Sequence, residues 1–348
     1  MKILLIRRDN IGDLVCTTPL FEAIKKHYPS AICHLFANSY NAPLIENHPF
    51  IDRVFIYSKA KHRASGESSL GIYWQRLRQI WMLRREKYDV AILAGRSGIA
   101  RMARTARMIG CKNIIGFDLH GDNRDNLDQP IAVPAIPEHE ACCNFRLLAP
   151  LKISGTPPAA MILPNPSSRD HAQSALLAAC AGKAPSDAKL IALHISARKS
   201  SQRWPEEHFI ELAHLLATSG KRLLLLWSPG EEDNPLHPGD DNKAARIMAK
   251  CSGLPILAYP THALPELIAA LSLADQVVCS DGGAMHIAAA LGKPIVCFFG
   301  QSDATVWHPW GVAYKLLQPA SLDVRDVSCI SVLAALDELS QDERILPA

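Results

Sequence analysis

The sequence is poor in the features that would each point to a common function class. Aromatic residues make up only 6% of the chain and the formal net charge is only +3 over 348 residues. Bulk electrostatics therefore gives no reason to expect a nucleic-acid binder. The ten Cys include no C-x-x-C pair, and the adjacent Cys142 and Cys143 cannot bridge each other without strain. Free thiols in a reducing compartment are expected rather than a disulfide scaffold. Long apolar runs are missing too. "LLLLW" at 223–227 is strand length, and "MKILLIRRDN" meets charge too early for a signal peptide. The expectation is a cytoplasmic protein that can still rest on a membrane surface. No G-x-G-x-x-G follows the first apolar run, which argues against a nicotinamide-dependent oxidoreductase. There is no D-x-D, and "HEACC" at 139–143 is not the H-E-x-x-H zinc pattern, so neither a metal nor a cofactor is expected.

What is present is a rhythm. Apolar residues at 48% and charged residues at 20% describe a globular chain, long enough for two domains. Apolar runs at 2–6, 31–37, 53–57, 89–95 and 113–117 read as strands, separated by helical patterns at 14–27, 70–87 and 97–109. The stretch "GTPPAAMILPNPSSRD" at 155–170, with four Pro, interrupts the alternation and reads as a linker. A helix then leads into strands at 189–195, 222–227, 255–260, 276–280 and 294–300, again alternating with helices, and 329–339 reads as a closing helix. The fold class is α/β: two doubly wound, Rossmann-like parallel sheets facing each other across a cleft. The first domain is placed at 1–165 and the second at 166–325. The helix and tail at 326–348 close the fold and can pack back on the first domain.

Ligands of such sheets sit at the carboxyl ends of strands, so the strand-to-helix loops carry the functional reading. In "CSDGGAMHIAAALGKP" the strand ends near Ser280, Asp281 occupies the turn, and Gly282 and Gly283 open a helix. Two glycines bare the first N–H groups of that helix, which suits a diphosphate, and His286 stands one turn further on. Helix capping explains the Asp but not two successive Gly. In "LHISARKSSQRWPEEHF" a polar loop with Ser196, Arg198, Lys199 and Arg203 can clamp phosphate, against the ordinary alternative of solvated charge. Glu231 in "LWSPGEEDN" suits a ribose hydroxyl pair, and Asp303, Trp307 and Trp310 follow a later strand. In "RRDNIGDLVCTTPLFEAI" an Asp that merely stabilises its helix is the plain reading of Asp13. The functional one is a carboxylate that accepts a proton from an attacking hydroxyl, with Gly12 clearing room for the acceptor. Residues 59–112 hold thirteen Lys or Arg against three Asp or Glu, which favours an anionic partner: a phosphorylated acceptor or an acidic membrane surface.

Together, "RRDNIGDLVCTTPLFEAI", "LHISARKSSQRWPEEHF" and "DGGAMHIAAALGKPIVCFFGQSDATVWHPWG" resemble glycosyltransferase family 9, the lipopolysaccharide heptosyltransferases. The resemblance runs along nearly the whole chain. It implies a GT-B fold and an inverting, metal-independent transfer of heptose from ADP-L-glycero-D-manno-heptose to an anionic, lipid A-linked inner-core acceptor at the inner-membrane surface. It further implies Asp13 as general base; in the 196–203 loop, where the chain departs from the family pattern, Lys199 is taken as the catalytic cation. Donor contacts fall to Ser196, Arg198, Arg203, Glu231, Asp281, Gly282, Gly283 and His286, and acceptor contacts to Asn10, Gly12 and Arg63. Family members often carry Lys two residues before the Trp, where this chain has Gln202, and the family's hydroxyl residue after Asp281 is Gly here. The rival readings are a GT-B enzyme acting on another nucleotide sugar, such as an epimerase, and a non-catalytic sugar-nucleotide-binding relative.

Overall fold

The computed structural model describes residues 1–57, 69–119, 121, 126–234 and 238–342. The chain divides into two compact units, Met1–Met161 and Ile162–Ala348. The first contains β1 (Lys2–Ile6), α1 (Ile11–Val15), α2 (Pro19–His27), β2 (Ile32–Asn38), β3 (Arg53–Tyr57), α3 (Ser69–Arg85), β4 (Val90–Leu93), α4 (Ile99–Ile109), β5 (Ile114–Asp118), β6 (Gln129–Ala132) and α5 (Glu140–Phe145). Its six strands are parallel, in the order β3-β2-β1-β4-β5-β6.

The second unit contains α6 (Pro166–Cys180), β7 (Leu190–His194), α7 (Glu206–Thr218), β8 (Arg222–Trp227), α8 (Asp241–Lys250), β9 (Ile256–Pro260), α9 (Leu264–Leu273), β10 (Gln276–Ser280), α10 (Gly283–Ala290), β11 (Ile295–Phe298), α11 (Ala304–Trp307), β12 (Tyr314–Leu317) and α12 (Cys329–Asp342). Its six strands are also parallel, in the order β12-β11-β10-β7-β8-β9. Both sheets therefore reverse direction of travel once, between β1 and β4 in the first unit and between β7 and β10 in the second. The central strands β4, β7 and β10 are buried along their whole length because helices cover both faces, which is why they read as unbroken apolar runs.

Two features differ from the sequence reading. The single helix expected at 14–27 is two, because Pro19 cannot continue the ladder begun by α1 and instead opens α2 at its first turn. β6 and β12 are edge strands that the sequence hides: both are only half-buried, and β6 carries Pro130, which an edge tolerates. The proline-rich stretch holds the boundary between the units, after Met161, and its end is also a helix start, since Pro166 opens α6 and the Asn165 side chain accepts the Ser168 N–H at 3.3 Å. The closing helix expected at 329–339 is α12, which packs on α7, β11 and β12, where Val332, Leu336 and Leu339 complete the core. The tail beyond 342 lies outside the described residues.

Candidate functional site

In the first unit the loops after β1 and β4 meet at the reversal point, and a buried arginine organises them. Arg7, only 2% exposed, donates from Nη2 to Asp13 Oδ1 at 2.6 Å and to Glu140 Oε1 at 3.1 Å, and from Nη1 to Asn144 Oδ1 at 3.2 Å. Asp9 lies 3.3 Å from its Nε. Burial alone would lower the Arg7 pKa; the carboxylates of Asp13, Glu140 and Asp9 outweigh it and raise it. Glu140, itself buried, is shared with Arg96 at 2.9 Å and with Asn144 at 3.2 Å. The second oxygen of Asp13 accepts the backbone N–H of Asn10 at 3.0 Å, fixing the carboxylate at the start of α1. Gly95 closes the cluster from the β4 side. Its φ of +101° suits glycine, and a Cβ there would stand 2.9 Å from Asp9 Oδ2 and 3.0 Å from Arg7 Nη1. The result is a carboxylate held by two fixed donors yet still partly exposed, at 17% of its side chain.

The reversal point of the second unit is furnished mainly by backbone. Asp281 follows β10, Gly282 caps α10 with φ +157°, and a Cβ at Gly282 would meet nothing within 4 Å. The helix therefore starts in front of open space, with its N–H groups and dipole directed there. Facing it within the unit, the loop after β7 is pinned at several points. Gln202 donates to Asp281 Oδ2 and to Ser302 Oγ, both at 2.9 Å, while Ser280 Oγ donates to the Gln202 carbonyl at 2.6 Å. Lys199 is exposed and reaches the same Ser302 hydroxyl at 3.4 Å.

Beneath that loop sits a second buried charge group. Arg203 donates to the Ala197 carbonyl at 2.9 Å and pairs with Asp240, which is fully buried. Burial raises the Asp240 pKa, opposed by the Ser196 hydroxyl, Arg203 and Lys243. Lys243 Nζ donates to the carbonyls of Ile195 and Trp204 at 3.3 and 2.7 Å, tying both ends of the loop together, and burial lowers its pKa to about 8. Ser196 Oγ accepts the Ser228 N–H at 2.9 Å, so its hydroxyl joins the loops after β7 and β8.

The sequence-derived residues thus fall into two groups, one in each unit. Asp13, Asn10 and Gly12 lie together around the start of α1. Asp281, Gly282 and Gly283 lie at the α10 N-terminus, with Lys199 brought near by Ser302. His286 is buried in α10 with its ring edge-on to Trp307 at 5.9 Å. Arg198 and Glu231 are exposed on their loops. Ser196 and Arg203 are both engaged in holding loops, and Asp303 caps α11 by accepting the Thr305 N–H at 2.9 Å. Arg63 lies outside the described residues. Sequence reasoning missed Arg7, Glu140, Asn144, Asp240 and Lys243. The one available signal was a charged residue inside or next to an apolar segment, as Arg7 is after "KILLI". Among the described residues no cluster of three His, Cys, Asp or Glu side chains is arranged to hold a metal, and no helix is long and apolar enough to cross a membrane.

The sequence model of glycosyltransferase family 9 (heptosyltransferase) matches residues 75–324. Lipopolysaccharide heptosyltransferase 3 of Escherichia coli is 22% identical over 97% of both chains. Lipopolysaccharide heptosyltransferase 2 of Salmonella typhimurium is 27% identical over 89% of this chain and 85% of its own. Among solved structures, the family 9 glycosyl transferase of Veillonella parvula superposes with a TM-score of 0.80 at 18% identity, over 98% of this chain and 97% of that one. The ADP-heptose lps heptosyltransferase II of E. coli does so at 0.74 and 19%, over 99% and 100%. At those identities the likeness speaks for the fold, which is GT-B.

Proposed function

The chain belongs to glycosyltransferase family 9, and on that premise we propose that it moves a heptosyl group from ADP-L-glycero-D-manno-heptose to an inner-core sugar of a lipid A-linked oligosaccharide. In this reading the second unit holds the donor. The diphosphate sits at the N–H groups of α10, where Gly282 leaves open space, and Lys199 neutralises charge on the departing ADP. Glu231 takes the ribose hydroxyls. Arg203 acts on the loop, since its guanidinium is already committed to Asp240. Lys199, which shares Ser302 with Gln202, takes the part of the Lys that the family resemblance leads one to expect at the glutamine's position.

The first unit supplies the base. The acceptor O–H attacks the anomeric carbon, the bond from that carbon to the phosphate oxygen breaks, ADP leaves with the electron pair, and the proton passes to Asp13. Displacement from the face opposite the leaving group inverts the anomeric centre. A carboxylate suffices because the attacking hydroxyl becomes strongly acidic only as donor bond breaking advances. The observation that carries this reading is the partly exposed Asp13 carboxylate, held by Arg7 at 2.6 Å and by the Asn10 N–H at 3.0 Å. The relatives named above as heptosyltransferases support the choice of sugar.

The test is incubation of the purified chain with ADP-heptose and a truncated lipopolysaccharide core. Heptosylated core of inverted anomeric configuration and one ADP per transfer are expected. ADP-heptose consumed without acceptor, to give an isomerised sugar nucleotide, would instead place the chain with the epimerases.

A further inference from the structure

The outer face of α3 and α4 combines exposed apolar side chains with uncompensated positive charge. On α3, Trp81 and Leu77 are 57% and 49% exposed, and on α4 Met108 is 51% exposed. Isolated exposed apolar residues need no explanation; these three lie on adjoining helices and are interleaved with arginines. At 100° per residue, Leu77, Arg78, Trp81, Arg84 and Arg85 occupy about a third of the circumference of α3. The opposite side of that helix sends Leu83 into the core. On α4, Arg101, Arg104 and Met108 are exposed while Met102, Ala103, Ala106 and Ile109 are buried.

The two faces are continuous, because Arg84 Nη1 donates to the Met108 carbonyl at 3.3 Å. Arg85 lies 4.6 Å over the Trp81 ring, which keeps a cation beside the exposed indole. Of the arginines on this face, Arg107 alone is given a carboxylate among the described residues, Asp128 at 2.9 Å. Between 77 and 112 the chain carries nine Lys or Arg against Glu86 and Asp89. Glu86 is taken by Lys2 and Arg53, and Asp89 accepts the Lys2 N–H at 2.7 Å.

We propose that this α3–α4 face docks the protein on an anionic lipid bilayer. The arginines meet the headgroups, and Trp81, Leu77 and Met108 enter the boundary with the acyl chains. An indole and long aliphatic side chains among guanidiniums suit that boundary, where one end of each group is apolar and the other wet. Charge complementarity selects this occupant over a second copy of the chain, which would bring the same unpaired positive face against itself. The surface goes beyond the reading above: it requires neither heptose nor Asp13.

The test is cosedimentation with vesicles of phosphatidylglycerol and phosphatidylcholine, compared with pure phosphatidylcholine. The wild-type chain should bind the anionic vesicles and release them as salt rises, since headgroup attraction is screened. The double variant R84E/R85E should bind at least about tenfold more weakly. The variant L77S/W81S should bind more weakly at every salt concentration, including high salt where the arginines contribute little. Both variants alter exposed positions outside the donor and base groups, so they should fold and keep turnover on a detergent-dispersed core. Equal binding to neutral vesicles, or undiminished binding by R84E/R85E, overturns the proposal. So does self-association of the wild type that W81S abolishes while vesicle binding persists. Loss of sugar transfer with vesicle binding intact would count against the catalytic reading alone.

Discussion

The two units repeat one strand order and furnish the equivalent point of it in opposite ways. In the first, the reversal between β1 and β4 is filled by side chains: a buried arginine, three carboxylates and an asparagine, with Asp13 at the exposed edge. In the second, the reversal between β7 and β10 is left open in front of a helix terminus, and the charged groups are drawn back under the loop as Arg203, Asp240 and Lys243. A shared sheet sets where chemistry can sit. The loops decide whether that place holds a partly exposed carboxylate or the bared start of a helix.

If the contrast is right, each unit can be damaged without the other. The largest effect on stability is expected at Glu140. Its replacement by Ala removes the buried counter-charge shared by Arg7 and Arg96 and should cost the first unit roughly 3 kcal/mol of stability, measured by urea denaturation. ADP affinity of the folded fraction should stay unchanged. A Glu140→Ala protein that loses ADP binding while still folded would blur the division.

The converse variant is Gly282→Asp. A Cβ there meets no protein atom, but at φ +157° any side chain strains the turn, so Gly282→Ala is the reference against which the added charge is read. The added carboxylate stands before the α10 terminus and should weaken ADP binding by at least roughly tenfold in calorimetry. An unaltered affinity would remove the diphosphate from that helix.

A smaller effect touches both units alike. Burial lowers the pKa of His48 in the first unit to about 4, and burial with Lys243 nearby does the same for His194 in the second. Because the unfolded chain binds these protons first, near pH 6.5, the stability each contributes is complete above that pH. It is lost as pH falls toward 4, by roughly 2 kcal/mol each at pH 5. His194→Leu should flatten the acid dependence of the second unit only, as read from pH-dependent hydrogen exchange. A slope that persists in that unit would assign the dependence to another group.

How much of this was legible in the sequence follows from the range of each interaction. The central strands were, because burial on both faces writes itself as unbroken apolar runs such as "LIALH". So were the helix starts at Asp13 and Gly282, the first just ahead of the helical pattern at 14–27 and the second beside Gly283. β6 and β12 were not, since a half-buried edge strand has neither a full run nor a clear alternation. The group around Arg7 was illegible for a different reason. Arg7 and Glu140 are 133 positions apart, and "HEACC" shows only that zinc spacing is wrong, not that its glutamate lies under a strand end at the other end of the unit. Likewise, Arg203 reads as a phosphate ligand until Asp240, 37 positions on, is seen to occupy it.

The division of labour is tested most directly by Asp13→Asn, with transfer rate and ADP dissociation constant measured on one preparation. The account predicts that transfer falls by about a thousandfold while the ADP constant moves by less than about twofold. Transfer retained within about tenfold of wild type, or a loss of transfer matched by an equal loss of ADP affinity, would contradict it.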